Sequence, residues 1–282
     1  MASKLFFLAA FEGDYQTVKS LMNKVIYHKD IALAYAAKNG HYNIVKLLLD
    51  NGVPPNQDAL NNAVIHDHYA IVELLLNRGI IPLHAINYAS KYGDLNIIRL
   101  LISRGFYPTE ETLKYAAIGG NLEVVKFLLN WGLKPTDEEL FEAAKRGYLK
   151  IVELFVNNGV RPNYITINIA IKNGHIDVVR YLIHVGVSVR KIDLTYPATY
   201  GSTKMVKLLL DYGVIPNDRA LISAVDNDRI DIVKLLLEYN YSEEVIDEAI
   251  STTEDPAMIM LLERYLFKNF LISPEDLRIL NY

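Results

Sequence analysis

The 282-residue sequence contains no cysteine, which excludes disulfide bonds, thiolate nucleophiles and cysteine-ligated metal centres. It has no apolar run near the ~18 residues of a membrane span, so we expect no membrane partner. Neither sign of charge dominates, since 29 lysines and arginines stand against 33 acidic residues and leave a net charge of −4. That balance gives no electrostatic case for nucleic acid, whose phosphates attract basic proteins. A chain of this kind fits the cytoplasm.

Sequence motifs that carry catalysis are also missing. There is no phosphate-binding glycine loop, no nucleophile elbow and no H-E-x-x-H pair. His66 and His68, with His84 further along, could suggest a metal site, but no carboxylate arrangement completes it. We interpret His41, His68 and His175 as helix caps instead. The sequence therefore predicts a non-enzyme without catalytic residues, metal, cofactor or small-molecule substrate.

What the sequence does contain is one recurring motif, clearest at Tyr35–Gly52 (YAAKNGHYNIVKLLLDNG). Apolar residues at i, i+1, i+4 and i+5 of its second half form one stripe of a helix. Ala36 and Ala37 end a first helix whose small side chains let the second pack closely, and Gly40 turns the chain between them. Neither helix could bury its apolar face alone, so the motif predicts a unit that needs neighbours.

The motif returns at intervals of 27 residues, apart from one interval of 26. Its turn residue falls at Gly13, Gly40, Asp67, Gly93, Gly120, Gly147, Gly174, Gly201 and Asp228. Aspartate and asparagine tolerate positive φ better than other non-glycine residues. We therefore expect left-handed backbone at every turn and at the last helix stop, Asn240, and we expect Gly147 to tolerate asparagine.

The pattern A-A-x-x-G-[HND]-x-x-[IV]-V-K-L-L-L-x-x-G resembles the ankyrin repeat over nearly the whole chain. Ankyrin repeats usually run about 33 residues, with a T-P-L-H opening and a β-turn finger, so about six residues are missing here. The opening is reduced to pairs such as Thr112–Leu113. The resemblance implies a binding scaffold: an all-α, ankyrin-like solenoid of stacked helix-turn-helix repeats with β-hairpin fingers reduced or absent. The repeats are also similar to those of large DNA viruses, which would place the protein in the host cytoplasm.

We expect the whole chain, 1–282, to form a single solenoid. Residues 1–24 form an N-terminal capping repeat and residues 25–240 form eight regular repeats. Residues 241–282 form a degenerate repeat and a C-terminal capping helix that opens at Ser273.

Two segments leave alternatives open. In the first repeat Phe6, Phe7 and Phe11 either pack inward onto the next repeat or form a patch for a partner or for self-association. Pro197 stands where other inner helices carry alanine, so that helix either starts late or kinks. A kink would bend the solenoid at this repeat.

The binding surface follows from helical geometry. In the first, or inner, helix of each repeat we expect the positions eight, seven, four and three before the turn to be buried, as in Thr112, Leu113, Ala116 and Ala117. The positions six, five, two and one before the turn are then exposed. Lysine and tyrosine recur there, and stacking would align them into a concave stripe. We predict a partner site centred on Lys91, Tyr92, Tyr115, Lys145, Arg146, Lys172 and Tyr200.

Tyrosine and arginine are enriched at binding hot spots, and a basic stripe on a slightly acidic protein favours a partner with an acidic surface. The sequence therefore predicts a protein–protein interaction scaffold or adaptor that binds another protein through the concave face. Three alternatives stay open. The tyrosines could merely fill the space between inner helices, the chain could be a self-assembling structural protein, or, less favoured, it could bind nucleic acid.

Overall fold

A computed structural model describes residues 2–271 of the protein, so the capping helix expected from Ser273 lies outside the described residues. The helices are α1 (Ala2–Glu12), α2 (Tyr15–Leu21), α3 (Lys29–Lys38), α4 (Tyr42–Asp50), α5 (Gln57–Ile65), α6 (Tyr69–Asn77), α7 (Ala85–Tyr92), α8 (Leu95–Ser103), α9 (Glu110–Gly119), α10 (Leu122–Asn130), α11 (Asp137–Arg146), α12 (Leu149–Asn157), α13 (Tyr164–Lys172), α14 (Ile176–His184), α15 (Thr195–Tyr200), α16 (Thr203–Asp211), α17 (Asp218–Asp226), α18 (Ile230–Leu236), α19 (Glu243–Ser251) and α20 (Pro256–Leu266). A π-helical segment, Phe267–Leu271, follows. Residues 2–271 contain no β-strand, and the predicted all-α helix-turn-helix repeats without hairpin fingers are confirmed.

The chain divides into two compact units. Unit 1 comprises Met1–Ala143 with Asn157–Val160, and unit 2 comprises Ala144–Val156 with Arg161–Tyr282. In both units the odd-numbered helices are the inner helices and the even-numbered helices are the outer ones. Inner helices contact one another in sequence, from α1 to α9 in unit 1 and from α13 to α19 in unit 2. Each unit is therefore a stack of helix pairs in which a repeat contacts its neighbours.

The core of each repeat combines small residues on the inner helix with large ones on the outer helix. In α9, Thr112, Leu113, Ala116 and Ala117 are all completely buried, as the sequence predicts. The outer helices contribute isoleucine, leucine and valine, such as Ile97 in α8. Each fully buried leucine or isoleucine contributes roughly 1.5–3 kcal/mol. The small residues set how closely the inner helices approach one another.

The connection between repeats follows one design, seen between α4 and α5. Gly52 ends α4 with φ of +83°, and the Val53 N–H donates to the carbonyl of Leu48 at 3.1 Å, which closes the last turn. Val53 is buried. The Asn56 side chain accepts the Ala59 N–H at 2.8 Å and caps α5. The predicted stop and cap are thus confirmed here.

The left-handed backbone that the sequence predicts at the turns is confirmed at most turn positions, and Gly201 is an exception. Asp67 and Asp228 have φ of +58° and +53°. Gly201, in contrast, is extended, with φ of −77° and ψ of 175°. His28, with φ of +62°, adds a left-handed residue that the sequence did not reveal.

The expected left-handed stop at Asn240 is wrong, since Asn240 is not among the residues with positive φ. A side chain from α20 organises this stretch instead. The Tyr265 hydroxyl donates to the Tyr239 carbonyl at 3.0 Å and accepts the Tyr241 N–H at 3.1 Å. Because Tyr265 satisfies these backbone groups, the chain can leave the outer helix without the glycine-type stop of the regular repeats.

Pro197 makes its helix start late. It is the third residue of α15, in the first turn, where a backbone N–H would have no intrahelical partner in any case. Helix α15 begins six residues before its turn residue, Gly201, whereas α13 and α17 begin ten residues before theirs (201 − 195; 174 − 164; 228 − 218). One helical turn is therefore missing between two full-length neighbours.

The turn histidines do not cap their own helices through their side chains, which corrects the expectation from the sequence. Each ring lies across to the preceding repeat instead. The Nε2 atoms of His41, His68 and His175 each lie 2.9 Å from an inner-helix carbonyl oxygen, those of Phe11, Lys38 and Lys145 respectively. Imidazole can donate to the carbonyl, so these rings tie consecutive repeats together.

The same rings lie over the turn glycines of the preceding repeats. A Cβ built on Gly147 would lie 2.4 Å from Nδ1 of His175, so Gly147 is needed both for its φ of +76° and for the space beside it. At Asp67 the equivalent residue of the next repeat is the shorter Asp94. The turn residue and the residue that packs over it therefore form a matched pair.

We predict that Gly147→Asn is strongly destabilising, contrary to the expectation from the sequence. Asparagine accepts the left-handed backbone, but its Cβ would displace the His175 ring at a cost of about 1–3 kcal/mol. Adding His175→Asp should recover part of the loss, because the pair then reproduces Asp67 and Asp94. Denaturant unfolding of both single variants and the double variant measures this coupling. Gly213→Asn is the control, because Gly213 is left-handed but has open space around its Cβ position. An equal loss in Gly147→Asn and Gly213→Asn would contradict this account.

We also predict that Asp67 gives the stability of the protein an unusual pH dependence. A hydrogen bond with the Asp94 carboxyl, reinforced by burial and by repulsion from Asp94, raises the pKa of Asp67 to about 6. Asp94 Oδ1 accepts the Asn96 and Ile97 N–H groups. Its buried Oδ2 accepts no other N–H or hydroxyl group among the described residues, so this oxygen is the acceptor for a proton held by Asp67.

The folded state therefore binds more protons than the unfolded chain between about pH 4 and 6, so the contribution of Asp67 is lost as the pH rises through that window. Asp67→Asn should remove this loss, and its melting temperature relative to the wild type should rise from pH 4 to 6.5. Asp228→Asn makes the same chemical change at another left-handed turn and is the control. If the melting temperatures of the wild type and of Asp67→Asn change with pH in parallel across this range, Asp67 and Asp94 do not share a proton.

Candidate partner-binding face

The solvent-facing side of the inner helices, here called the inner-helix face, carries the residues predicted to bind a partner. Its members lie six, five, two and one positions before each turn. Unit 1 contains Lys91, Tyr92 and Tyr115 of the predicted set, and unit 2 contains Lys145, Arg146, Lys172 and Tyr200.

In unit 1 the predicted residues are partly packed together. Tyr92 is 52% exposed, and the Lys91 ammonium lies 5.4 Å from the centre of its ring. Lys91 and Tyr115 are only half-buried. Tyr115 meets Tyr88 edge to face, with ring centres 6.2 Å apart. The interpretation that some tyrosines fill the space between inner helices therefore holds for this pair, whereas Tyr92 is available to a partner.

Helices α7 and α9 approach each other closely beneath these residues. Gly119 ends α9, and a Cβ built on it would lie 1.9 Å from the carbonyl oxygen of Lys91. The buried Thr112 hydroxyl of α9 donates to Asn87 Oδ1 of α7 at 2.8 Å. The absence of a side chain at Gly119 thus lets the backbone of α9 contact the last turn of α7 and fixes the position of Lys91.

In unit 2 the predicted residues are more open. Tyr200 is 69% exposed, and Lys145 and Lys172 are exposed as well. Within residues 2–271 neither lysine forms an ion pair. Arg146 is half-buried and already has an interaction partner, so Lys145, Lys172 and Tyr200 are the members of the set that remain available.

The exposed side chains of unit 2 form one connected aromatic cluster. The Lys172 ammonium lies 5.9 Å from the centre of the Tyr196 ring, and the Tyr196 and Tyr200 ring centres are 5.1 Å apart. Aromatic contacts of this kind are worth about 0.5–1.5 kcal/mol beyond their buried area. They hold the rings of Tyr196 and Tyr200 in place.

Beside this cluster lies an open groove of about 690 Å³, here called the α13–α17 groove. It runs along the exposed sides of α13, α15 and α17. Its lining residues are Tyr164, Asn168, Lys172, Asp193, Thr195, Tyr196, Thr199, Tyr200, Ser223, Asp226 and Asn227. Sequence reasoning named only Lys172 and Tyr200 of these as site residues. Asp226 lies two positions before its turn, as Lys145 and Lys172 do, so reading the same column to the ninth repeat would have found it.

Asp193, at one end of the groove, has a structural role. Its Oδ1 accepts the Thr195 N–H and hydroxyl, at 2.8 and 2.7 Å, and the Asn217 side chain at 3.1 Å. These hydrogen bonds, with that of the Thr195 hydroxyl the largest contribution, hold the pKa of Asp193 below its ordinary value. Its negative charge serves the start of α15 and is not free for a ligand.

Two features lie outside the predicted set. In unit 1 Trp131, the single tryptophan, stacks on the exposed Tyr107 at a centroid distance of 6.2 Å, and Arg99 lies over Phe127 beside it. At the start of unit 1 Phe6 is completely buried, as the inward interpretation requires, but Phe11 is 45% exposed.

The histidines considered for a metal site are otherwise engaged. The His66 and His68 rings stack with centres 6.3 Å apart, and His68 Nε2 contacts the Lys38 carbonyl. No group of three or more histidine, cysteine, aspartate or glutamate side chains suited to a metal ion occurs among residues 2–271. In the same part of the chain no helix has the length and apolar character to cross a membrane.

A comparison with known protein families finds ankyrin repeats. The sequence model described as Ankyrin repeats (3 copies) matches residues 6–84, 114–193, 140–214 and 169–247, which together cover well over half of the chain. No curated protein matches the sequence of this chain.

We predict that Gly119→Ala destabilises unit 1, although glycine-to-alanine changes within helices usually stabilise by about 1 kcal/mol. The new methyl group would collide with the Lys91 carbonyl and separate α9 from α7, at a cost of about 1–3 kcal/mol. Thermal and denaturant unfolding, followed by the fluorescence of Trp131, would measure the change. A melting temperature equal to or above that of the wild type would contradict the close approach of α7 and α9.

Proposed function

Because this chain belongs to the ankyrin-repeat family, we propose that it is a non-catalytic scaffold or adaptor that binds another protein through its inner-helix face. Ankyrin repeats are generally protein–protein interaction modules. The helices here carry no hairpin fingers within the described residues, so the inner-helix face is the most regular surface left for a partner. The lack of cysteine supports a cytoplasmic location.

The observation that carries this proposal is the set of exposed, unpaired charges beside ordered tyrosines in unit 2. Lys145 and Lys172 occupy the same position in consecutive repeats, and Tyr200 extends the aromatic cluster next to Lys172. Large aromatic side chains that are already held in place lose little entropy on binding. Exposed lysines without ion pairs attract a carboxylate-bearing surface. In unit 1, Lys91, Tyr92 and Tyr115 contribute a similar but more enclosed surface to the proposed site.

We predict that Lys145→Glu combined with Lys172→Glu lowers the affinity for the natural partner by about tenfold or more. Association should slow, and binding should depend less on salt, because two attractive charges become repulsive. Arg146 is left unchanged because it already has a partner within the protein. Folding should change by no more than ~0.5 kcal/mol, as usual for surface positions.

The measurement starts with affinity capture from the native cell and purification of the captured partner. That partner is then titrated against the wild type and the double variant at several salt concentrations. Lys204→Glu with Lys207→Glu is the matched control, since it makes the same change in charge at exposed positions of the outer helix α16. If the Lys145/Lys172 variant folds and keeps the affinity and salt response of the wild type, the proposed site is wrong.

A second candidate function, self-assembly, is favoured by one observation. At the start of unit 1 Leu5, Leu8, Phe11, Ile26 and Tyr27 are all exposed, and exposed apolar clusters commonly mark interfaces. Light scattering over a range of protein concentrations distinguishes this candidate. Reversible growth in mass that Leu8→Ser and Ile26→Ser abolish would support self-assembly, and a constant monomer mass would exclude it.

A further inference from the structure

The α13–α17 groove carries opposite charges on its two walls. Lys172 is the last residue of α13 and Asp226 is the last residue of α17, and both side chains are exposed. Within residues 2–271 no ion pair forms on either of them. Both lie two positions before their turns, and the residue at that position in α15, between them, is the uncharged Thr199. The inner-helix face of unit 2 therefore changes from basic at Lys172 to acidic at Asp226.

The floor between these charges suits a protein segment better than a small molecule. Small-molecule sites are mostly enclosed and apolar, whereas this groove is open and lined by tyrosine, asparagine, serine and threonine. Tyr164, Tyr196 and Tyr200 are all exposed. Surfaces of this composition combine rigid aromatic contacts with adaptable hydrogen bonds to a partner.

Several polar groups in the groove keep unused hydrogen-bonding capacity. Asn227 donates to the Ser223 carbonyl at 2.9 Å, and this orients its amide while its Oδ1 stays free to accept. Asn168 donates to the Tyr164 hydroxyl at 3.4 Å and likewise keeps Oδ1 free. Carbonyl oxygens of side-chain amides accept the N–H groups of an extended backbone.

We propose that the α13–α17 groove binds an extended segment of a partner protein that has an acidic side chain at one end and a basic one at the other. The acidic side chain meets Lys172, the basic one meets Asp226, and an aromatic or apolar residue between them packs on Tyr196 and Tyr200. This inference rests on the proposed function and deepens it, because it names the chemistry of the partner at the site in unit 2.

The spacing of the two charges in the partner follows from the packing of the helices. Adjacent packed helices lie about 8–10 Å apart, so the two steps from α13 through α15 to α17 span roughly 16–20 Å. An extended chain advances about 3.3 Å per residue. The acidic and basic residues of the segment should therefore lie about five or six positions apart.

Selection of random 12-residue peptides displayed on phage against the full chain tests this proposal. Peptides that also bind the Tyr196→Ala/Tyr200→Ala variant are discarded. The remaining peptides should share an acidic residue, a central aromatic or apolar residue and a basic residue at the predicted spacing. A pool without this pattern, or an empty pool, overturns the proposal.

Charge reversal then tests each end of the groove separately with one selected peptide. Lys172→Glu and Asp226→Lys should each weaken binding about tenfold. A peptide whose acidic and basic residues are exchanged should bind weakly to the wild type and regain affinity on the Lys172→Glu/Asp226→Lys double variant. Asp211→Lys is the matched control, because Asp211 is the exposed last residue of the outer helix α16, and it should leave affinity unchanged.

The outcomes separate this inference from the proposed function. If Lys172→Glu weakens binding and Asp226→Lys does not, recognition of a segment with two opposite charges is overturned while the basic partner site stands. If neither reversal matters, or if Asp211→Lys matters as much as Asp226→Lys, this inference is overturned. The titration of the natural partner against Lys145→Glu/Lys172→Glu then decides the proposed function on its own.

Discussion

The close approach of consecutive inner helices is the constraint on which the rest of the structure depends. It requires alanine on their buried faces and, at α9, a glycine whose missing side chain leaves room for the Lys91 carbonyl. It also brings the first residue after each turn over the turn of the preceding repeat. That residue can then bond to an inner-helix carbonyl, as His41, His68 and His175 do. The contacts between repeats are thus made by backbone as well as by side chains.

This constraint also decides what kind of surface the protein presents. Helices that lie close together expose a narrow strip of each inner helix, and only the positions facing solvent on that strip are free to vary. The lysines and tyrosines of the inner-helix face occupy those positions. Around the short helix α15, side chains of α13, α15 and α17 line one groove and are accessible together. The irregular repeat therefore gives a partner more to contact than the regular ones.

Much of the fold could be predicted from the sequence because it depends on local signals. The 27-residue period, the alanine pairs and the glycine stops each specify a backbone conformation or a packing distance within one repeat. The left-handed aspartates Asp67 and Asp228 followed from the same reasoning and are confirmed. The predictions that failed depend on contacts between repeats. The histidines bond to the preceding repeat, and Tyr265 reaches back from α20 to replace the stop at Asn240.

The candidate site was less predictable for a related reason. Periodicity identified the exposed columns, but it could not show that Tyr115 packs against Tyr88 while Tyr200 stays open, because both occupy solvent-facing positions. Nor could it show that Asp193 is tied to Thr195 and Asn217 whereas Asp226 is free of ion pairs. The availability of a side chain depends on its neighbours in adjacent repeats, which the sequence of a single repeat does not specify.

The difference between a regular column of charges and a specific arrangement of side chains explains why recognition would centre on the α13–α17 groove. A regular column of lysines attracts acidic surfaces in general and discriminates poorly among them, because exposed charges act at long range. Specificity needs an element that rejects the wrong partner. Asp226 supplies one, since it would repel a uniformly acidic segment at the point where Lys172 no longer attracts it. Between them, at the matching position of α15, stands the uncharged Thr199. The reversal of charge from Lys172 to Asp226 therefore gives this groove a selectivity that a regular column of lysines lacks.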